Sequence, residues 1–573
     1  MISPDFPDAR KRFRMNRRER RRQAKEAKGA SKGGKAAEHG LRAEQLAGEG
    51  QIEEAIKAYQ QAISINPQFA AAHHNLGVLL RRQGLLNEAI ESYTRATAIQ
   101  PDYVDAHYNL GNALLGLGNL DAAVASYHKA LAIKPNFTQA YNNLGNVFSK
   151  LGKLEDAVTS YHQAVAIKPD FAEAHNNLGN VFKEMDRIDD AVKSYRQAVK
   201  LEPAYQAAHE NLIKVRWSQG EGGNALSDLR AAYENDPVHP RIKRLLTRYL
   251  IEIDDLAKAQ EIINNGPSLA SGDAEGLCFQ GIIYEKNGDY DAAMENYSEA
   301  YRANPSIGNA FNEIKMKFFK GDIEPAINQV DGICDSRELD RLDLLSFVAL
   351  KTHMLKAAKS KEYSELCDYD AFVFSEKIDV PTGWPDLESF NADLASELES
   401  LHTDKFQPID QSLRNGTQTV QNLFRANRNP VIDALQAAIT AKIEKYIGTL
   451  PSGGEHVFLG NVPDEITYII SWSVRLHSEG FHANHIHPAG WLSSAYYVSL
   501  PPEVGGDDES KAGWLKFGEP PAKDNIYNLS PDMWVKPQAG QLVLFPSYFW
   551  HGTEPFQSDD PRLTVAFDIA GKI

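Results

Sequence analysis

A regular internal repeat is the feature that most constrains the fold of this chain. Proline recurs at one fixed interval at Pro67, Pro101, Pro135, Pro169, Pro203 and Pro237, and after one missing copy it returns at Pro305. Alanine keeps the same 34-residue period from Ala55 to Ala293. Alanine lets two helices approach closely, and proline cannot continue the helix that precedes it. The pattern therefore predicts a series of similar helical units that stack on one another.

Each unit carries further markers besides proline and alanine. A Leu-Gly pair recurs at the same spacing, and in several units a tyrosine follows the alanine four residues later, as Tyr127 follows Ala123. This unit resembles the tetratricopeptide repeat (TPR). The resemblance implies about eight units over residues 38–306, stacked into an all-α solenoid whose concave face binds a protein or peptide.

Asparagines recur at one position of the repeat. They are Asn75, Asn109, Asn143, Asn177 and Asn211. This spacing places them in a row along the inner face, where a carboxamide can donate to and accept from an extended peptide backbone. A similar row in the repeat domain of O-linked N-acetylglucosamine transferases implies a peptide-binding groove. The alternative, which the sequence leaves open, is that asparagine is simply usual at this position of the repeat.

The 34-residue markers fade after residue 306, and the composition changes after residue 370. Residues 307–370 keep helical periodicity and are expected to cap the solenoid. Over residues 371–573, alternating and β-branched stretches such as EITYIISWSVRLHS and RLTVAFDIA predict an antiparallel, mainly β domain that contains two helices. We therefore expect a multidomain chain, with an all-α solenoid followed by a mainly β domain.

Three histidines of the β domain form a candidate metal site. His485 and His487 are two residues apart, which in a strand places both side chains on one face. His551 follows another strong strand, and Arg562 comes after it on the last strand. Imidazoles that converge on one pocket are typical of a metal site. Ordinary surface histidines near a turn are the alternative.

This constellation resembles the iron(II)- and 2-oxoglutarate-dependent oxygenases. These enzymes have a double-stranded β-helix, or jelly roll, with an H-x-D/E motif, a distal histidine and a basic residue about ten positions beyond. HIHPAGWLSSAYYV, the upstream DQSLRNGTQT, and GQLVLFPSYFWH with PRLTVAF look like a subfamily that has H-x-H-P in place of H-x-D.

The resemblance also implies roles for individual residues. His485, His487 and His551 would be the ligands of Fe(II), and no catalytic residue is implied beyond them. Arg562 would pair with the distal carboxylate of 2-oxoglutarate, a pairing that suits a planar guanidinium, and Thr564 would lie beside that carboxylate.

His487 departs from the larger family, which has a carboxylate at this position. A neutral imidazole leaves the site with one negative charge fewer. Three interpretations stay open, namely an all-histidine triad, a two-histidine site from which His487 stands off, and an inactive pocket. The spacing does not separate them, and we take the triad as the prediction.

Two functions of different classes follow. The leading hypothesis is a dioxygenase that hydroxylates a protein or peptide recruited by the TPR groove. The alternative is an interaction scaffold whose oxygenase-like domain has no catalytic activity. A charged residue on a core strand, Arg562, favours the enzyme, because an inactive pocket has no use for it.

The N-terminal 37 residues are basic, whereas the chain as a whole is acidic. Between Ala9 and Ala36 there are 13 Lys and Arg against two Glu, in a chain of net charge −16. We expect a solvated, disordered tail, with an arm for nucleic acid as the alternative. No apolar run approaches the roughly 18 residues needed to span a bilayer. The N-terminus has no signal-peptide pattern, and the three cysteines are widely spaced, so we expect a cytoplasmic protein without a membrane partner.

Overall fold

The computed structural model describes residues 33–265, 273–336, 339–409, 411–419, 422–426, 429–451, 454–504 and 509–572. The chain divides into two compact units, Met1–Asn211 and Leu212–Ile573. Most of the basic tail predicted over residues 1–37 lies outside the described residues. The domain boundaries expected near residues 306 and 370 stay predictions.

The first unit is built from antiparallel helix pairs. Its helices are Gly33–Gly48, Ile52–Ile65, Ala70–Arg82, Leu86–Ile99, Val104–Gly116, Leu120–Ile133, Thr138–Lys150, Leu154–Ile167, Ala172–Glu184 and Ile188–Leu201, and Gln206–Ser218 begins in this unit and ends in the next. The repeated alanines, such as Ala123 and Ala157, are fully buried where helices cross. Small side chains at the crossings are what allow the helices to pack closely.

The recurring glycine is required by a close approach within five of the repeats. A Cβ atom at Gly145 would lie 2.6 Å from the ring of Tyr161, which is closer than van der Waals contact allows. The same relation holds for Gly77 with Tyr93, Gly111 with Tyr127, Gly179 with Tyr195 and Gly281 with Tyr297. These tyrosines are buried, so the recurring aromatic residue forms the core of its unit.

The turn between the two helices of a unit recurs with the same 34-residue period. One residue in this turn has a positive φ, which glycine adopts without strain. These residues are Gly50, Gly84, Gly118, Gly152, Asp186, Gly220, Asp254 and Gly288. Asp186 and Asp254 have φ values of 57° and 63°. The turn geometry therefore persists in repeats where aspartate replaces the glycine, and also in the repeat that lacks the proline between Pro237 and Pro305.

The second unit begins with further helices and ends with the β domain. Its helices are Ser227–Asn235, Pro240–Glu252, Leu256–Asn264, Ala274–Lys286, Tyr290–Ala303, Ile307–Phe319, Ile323–Ser336, Arg341–Ala357, Glu362–Leu366, Tyr369–Phe372, Leu387–Ser400, Leu423–Ala426 and Pro430–Thr449, with short 3-10 helices at Gly222–Leu226 and Leu459–Asn461. The last three α-helices pack within the β domain. No helix in the described ranges combines the length and the apolar character that a membrane crossing requires.

The β domain consists of two antiparallel sheets. The strands are β1 (Phe374–Lys377), β2 (Leu413–Gln418), β3 (Tyr468–His482), β4 (Leu492–Ser499), β5 (Leu515–Phe517), β6 (Met533–Val535), β7 (Gln541–Pro546), β8 (His551–Thr553) and β9 (Arg562–Ile569). Among the described residues, one sheet has the order β1-β7-β4-β9-β3-β2 and the other has the order β6-β5-β8. Both sheets contribute to one hydrophobic core. The predicted fold class, an all-α repeat solenoid followed by a jelly-roll β domain, is confirmed.

Candidate metal centre

The three predicted histidines converge in the β domain. His485 and His551 face each other across a backbone bridge, in which each amide N–H donates to the other's carbonyl, at 2.9 and 3.1 Å. Ring nitrogens of His485, His487 and His551 all lie within 4.8 Å of one another. The Nε2 atoms of His485 and His487 are only 2.8 Å apart. His551 is buried, whereas the other two rings are partly exposed.

A loop, rather than a regular strand, carries two of these histidines. We predicted a strand from His485 onwards, but β3 ends at His482 and β4 begins only at Leu492. The loop contains Pro488, which has no N–H to donate to a ladder. The loop is instead fixed by single backbone bonds, including one of 2.9 Å from the His487 N–H to the Ser547 carbonyl.

Backbone carbonyls fix the orientation of two of the rings. Nδ1 of His485 lies 2.8 Å from the Ala483 carbonyl, and Nδ1 of His551 lies 2.9 Å from the Phe549 carbonyl. A carbonyl only accepts, so each Nδ1 carries the proton and each Nε2 keeps its lone pair. Burial and neighbouring histidines lower the pKa of both rings well below the usual value. Both are therefore neutral imidazoles, the form that binds metal ions.

His487 has an acidic partner instead of a carbonyl. Its Nδ1 lies 2.9 and 3.0 Å from the two carboxylate oxygens of Asp568. Burial alone would disfavour the charged ring, but Asp568 outweighs this effect and raises the pKa of His487. The indole of Trp472 stacks on the same ring, with centroids 5.6 Å apart.

Arg562 is a buried cation whose partners among the described residues are uncharged. The residue is 3% exposed, and its Nη1 donates to the Gly513 carbonyl at 2.6 Å. The guanidinium carbon lies 5.0 Å from the ring centre of Tyr497. Within the part of the chain that the structure describes, no carboxylate forms an ion pair with Arg562. Because a buried charge is costly without a counter-charge, this residue is suited to an anionic ligand.

Strand alternation connects the arginine with the histidines. Arg562, Thr564 and Asp568 are separated by even numbers of residues along β9, so their side chains share one face of the sheet. Thr564 is buried and pairs with Tyr497 on β4, while Asp568 pairs with Ser493. The predicted residues Arg562 and Thr564 are thus next to each other on the face that also contacts His487.

Sequence analysis missed two residues of this site. Asp568 was not singled out, although an acidic residue within the otherwise apolar end of β9, at the same parity as Arg562, was a usable signal. His482 was not included among the site residues either, yet its ring stacks on His485 with centroids 5.8 Å apart. Burial and the Arg562 charge lower the pKa of His482 to about 3, so this ring is also neutral.

The predicted asparagine row lies in the repeats, and its members are half-buried. From Asn109 onwards, each side-chain amide nitrogen of the row donates to the preceding 34-residue repeat. The acceptors are His74 Nε2 for Asn109 (2.9 Å), Tyr108 Oη and Asn112 Oδ1 for Asn143 (3.0 and 2.8 Å), Asn142 and Asn146 Oδ1 for Asn177 (3.1 and 3.2 Å), and Asn176 and Asn180 Oδ1 for Asn211 (3.0 Å each). Asn75, in the first of these units, instead lies 3.1 Å from His74 Nδ1 through its Oδ1. The row therefore joins successive repeats.

The helical repeats and the β domain each match known protein families. Residues 470–568 match the family described as "Putative 2OG-Fe(II) oxygenase". Residues 45–84 match a TPR repeat, and residues 274–307 match a tetratricopeptide repeat. The chain is a TPR protein with a C-terminal 2OG-Fe(II) oxygenase domain. Residues 69–280 also match the cilia and flagella-associated protein 70 C-terminal domain. The finer resemblance to an H-x-H-P subfamily stays a prediction.

Solved structures similar to this TPR oxygenase-domain protein include repeat proteins. The structure titled "Crystal structure of MamA" is 27% identical in sequence and has a TM-score of 0.28. The match covers 28% of this chain and 94% of the MamA chain. "Crystal structure of YrrB: a TPR protein with an unusual peptide-binding site" is 22% identical, with a TM-score of 0.28, covering 33% and 96%. A tetratricopeptide repeat protein from Parabacteroides merdae ATCC 43184 is 17% identical, with a TM-score of 0.33, covering 47% and 93%. None of the curated proteins compared with the chain matches it.

Proposed function

We propose that the C-terminal domain is an iron(II)- and 2-oxoglutarate-dependent dioxygenase that hydroxylates a protein or peptide recruited by the TPR repeats. The observation that carries this proposal is the convergence of three imidazoles in the same domain as Arg562, a buried arginine that forms no ion pair with any carboxylate among the described residues. Iron(II) and 2-oxoglutarate, when bound, supply the oxygen-activating chemistry that oxidises a C–H bond while the oxoacid is converted to succinate and carbon dioxide.

The donor set fits these two groups. His485 and His551 are neutral with unprotonated Nε2 atoms, and ring nitrogens of the three histidines lie within 4.8 Å of one another. Imidazole nitrogen is a preferred ligand of iron. His487 lies close enough to complete a three-histidine site. The guanidinium of Arg562 can form two parallel hydrogen bonds to a carboxylate, which would orient the oxoacid. Thr564 lies on the same strand face and would contact the same carboxylate.

The side chains around the site would also exclude water. Trp472 covers one side of the His487 ring, and Tyr497 covers the guanidinium of Arg562. Tyr497 is fully buried. A site closed by aromatic rings strengthens the electrostatic attraction between Arg562 and a carboxylate, because less water screens it. The contacts of these two rings therefore favour anion binding at Arg562.

Substrate recruitment through the repeats is the second part of the proposal. TPR repeats indicate interaction with proteins. The amide nitrogens of Asn143, Asn177 and Asn211 already donate between units. These side chains would therefore offer their carbonyl oxygens to a bound peptide, and an extended backbone would donate its N–H groups to them.

Formation of succinate from 2-oxoglutarate tests the enzymatic part. The full chain is incubated with Fe(II), 2-oxoglutarate and air, and succinate is measured by mass spectrometry. We expect succinate from the wild type and a loss of roughly 30-fold to several thousand-fold in Arg562→Ala, because removal of one partner of a buried charge pair costs about 2–5 kcal/mol. His551→Ala should also lose most of the activity, because this variant lacks one of the three imidazoles that would bind the iron.

His477→Ala serves as the matched control. His477 is exposed on β3 and has not been assigned to the site, so this variant should form succinate at the wild-type rate. If the wild type binds iron but forms no succinate, even with candidate peptides captured by the repeats, the enzyme proposal is wrong. The interaction scaffold would then be the better account.

A further inference from the structure

Asp568 occupies a particular place in the candidate site. It lies directly behind His487, and both of its carboxylate oxygens are within 3.0 Å of Nδ1 of that ring. Its side chain is 8% exposed. The chain has His487 where the larger family has a metal-binding carboxylate. A carboxylate is nevertheless present, because Asp568 contacts the side of the His487 ring that faces away from the other two histidines.

The network around Asp568 holds its carboxylate in place. Ser493 donates to Oδ1 of Asp568 at 2.7 Å, and the hydroxyls of Ser493 and Ser547 are 2.9 Å apart. Both serines are fully buried. The backbone of Ser547 also accepts the His487 N–H. One buried cluster thus fixes the main chain of His487 and the group that its ring contacts.

This arrangement has a consequence for the Nε2 atom of His487. A carboxylate only accepts hydrogen bonds when ionised, so Nδ1 of His487 carries a proton and donates it to Asp568. In the neutral ring Nε2 then has a lone pair, which faces the lone pair of His485 Nε2 at 2.8 Å. Two lone pairs at this distance repel each other, so in the metal-free protein one of the two nitrogens carries a proton that the other accepts, and a bound metal ion would take the place of that proton. A carboxylate behind the ring also increases the electron density that Nε2 can donate to a metal.

We propose that Asp568 is a positioning residue that makes His487 a metal ligand and supplies, through that ring, the negative charge that the three-histidine site lacks. Asp568 does not contact the metal itself. It fixes the ring orientation and the protonated nitrogen of His487. The proposal rests on the proposed function, because it concerns the same metal site.

Binding of Co(II) to the full chain, without oxygen, provides a test that does not depend on activity. The d–d absorption of Co(II) reports its coordination, and its titration gives a dissociation constant. The variant is Asp568→Asn, which keeps the shape and an acceptor oxygen but removes the charge. The matched control is Asp559→Asn, which removes the same charge from an exposed residue just before β9.

We expect Asp568→Asn to weaken Co(II) binding by about 10- to 100-fold, as is typical for partners of metal-bound histidines. Asp559→Asn should bind Co(II) as the wild type does. In a His487→Ala background, Asp568→Asn should have no further effect, because its influence passes through the missing ring. A merely structural role would give the same loss with and without His487.

The outcomes separate this inference from the proposed function. If the wild type binds Co(II) and Asp568→Asn binds it equally well, the inference about Asp568 is wrong and the metal site stands. An equal loss in both His487 backgrounds would also refute it. If the wild type binds neither Co(II) nor Fe(II), both the inference and the proposed function are wrong.

A second variant keeps the test informative if Asp568→Asn does not fold. Ser493→Ala removes the hydrogen bond that holds the carboxylate but retains the carboxylate itself. Loss of one such bond, about 1 kcal/mol, should weaken Co(II) binding about 5-fold. Wild-type affinity in a folded Ser493→Ala chain, with Asp568→Asn unfolded, would count against the proposal.

Discussion

Replacement of Arg562 by methionine should remove the response of the domain to 2-oxoglutarate with little change in its stability without ligand. The guanidinium is buried, and its uncharged contacts are the Gly513 carbonyl and the Tyr497 ring. Burying the charge costs several kcal/mol, whereas a charged hydrogen bond and a cation–π contact return about 2 kcal/mol each. These contributions nearly cancel, so we expect the free energy of unfolding of the ligand-free variant to lie within about 1 kcal/mol of the wild-type value.

The ligand response should differ much more. At a 2-oxoglutarate concentration 100 times its Kd, the wild type should gain about 2.7 kcal/mol. Removal of one partner of a buried charge pair costs about 2–5 kcal/mol, which raises Kd roughly 30-fold to several thousand-fold. At the same ligand concentration the Arg562→Met variant should therefore gain less than about 1 kcal/mol.

Urea unfolding in the presence of Fe(II), without oxygen, measures both quantities. Six of the seven tryptophans follow residue 380, so fluorescence reports mainly on the β domain. Arg475→Met is the matched control, because Arg475 pairs with Leu563 on the neighbouring strand but lies at the opposite parity from Trp472. Pyruvate, which lacks the distal carboxylate, should stabilise wild type and Arg562→Met equally. Undiminished stabilisation of Arg562→Met by 2-oxoglutarate would refute this reasoning.

Three further predictions concern the rest of the molecule. His402 is held between Thr417 and Ser473 hydroxyls, and burial lowers its pKa to about 4. The unfolded chain binds this proton near pH 6.5, so the stability from the neutral ring is present above pH 6.5 and is lost as the pH falls towards 4. The free energy of unfolding in urea should fall between pH 7 and pH 5 in both proteins, but the fall should be about 1–2 kcal/mol smaller in His402→Gln than in the wild type. Equal losses in the two proteins would contradict this prediction. Asn143→Asp removes the amide nitrogen that donates two hydrogen bonds to the preceding repeat, so the free energy of opening of its repeat, measured by hydrogen exchange, should fall by about 1–3 kcal/mol. The control Asn87→Ala, at an exposed position, should have a smaller effect. Unchanged exchange in Asn143→Asp would contradict a role in joining repeats. Asp186→Gly should slow exchange in the flanking helices by relieving a positive φ, worth up to about 1 kcal/mol; faster exchange would contradict it.

The repeats were predictable from sequence because each unit repeats the same packing problem. The close approach of Gly145 and Tyr161 admits no larger side chain at the glycine, so the restriction appears in the sequence at each of the five repeats that share this contact. The bonds made by the Asn143 amide were not predictable in the same way. They join residues 31 and 35 positions apart, and which of these side chains meet depends on how one unit stacks on the next.

Those residues of the candidate site that belong to a recognisable sequence motif were predictable. The spacing of His485 and His487 predicted that both side chains face one pocket, and the resemblance to the oxygenases implied the roles of His551 and Arg562. The contact of Asp568 with His487 spans 81 residues and depends on the register between β9 and β4. The path of the loop that carries His487 was also missed, since β propensity did not reveal that the strand starts only at Leu492.

A crystal structure of the chain grown without oxygen in the presence of Fe(II) and 2-oxoglutarate would show whether the three histidines bind iron and whether Arg562 binds the oxoacid. Diffraction at the iron absorption edge locates the metal independently of the protein density. We expect one anomalous peak within bonding distance of Nε2 of His485, His487 and His551, with the distal carboxylate of 2-oxoglutarate on the Arg562 guanidinium. Absence of iron from these histidines, or an oxoacid bound away from Arg562, would contradict it.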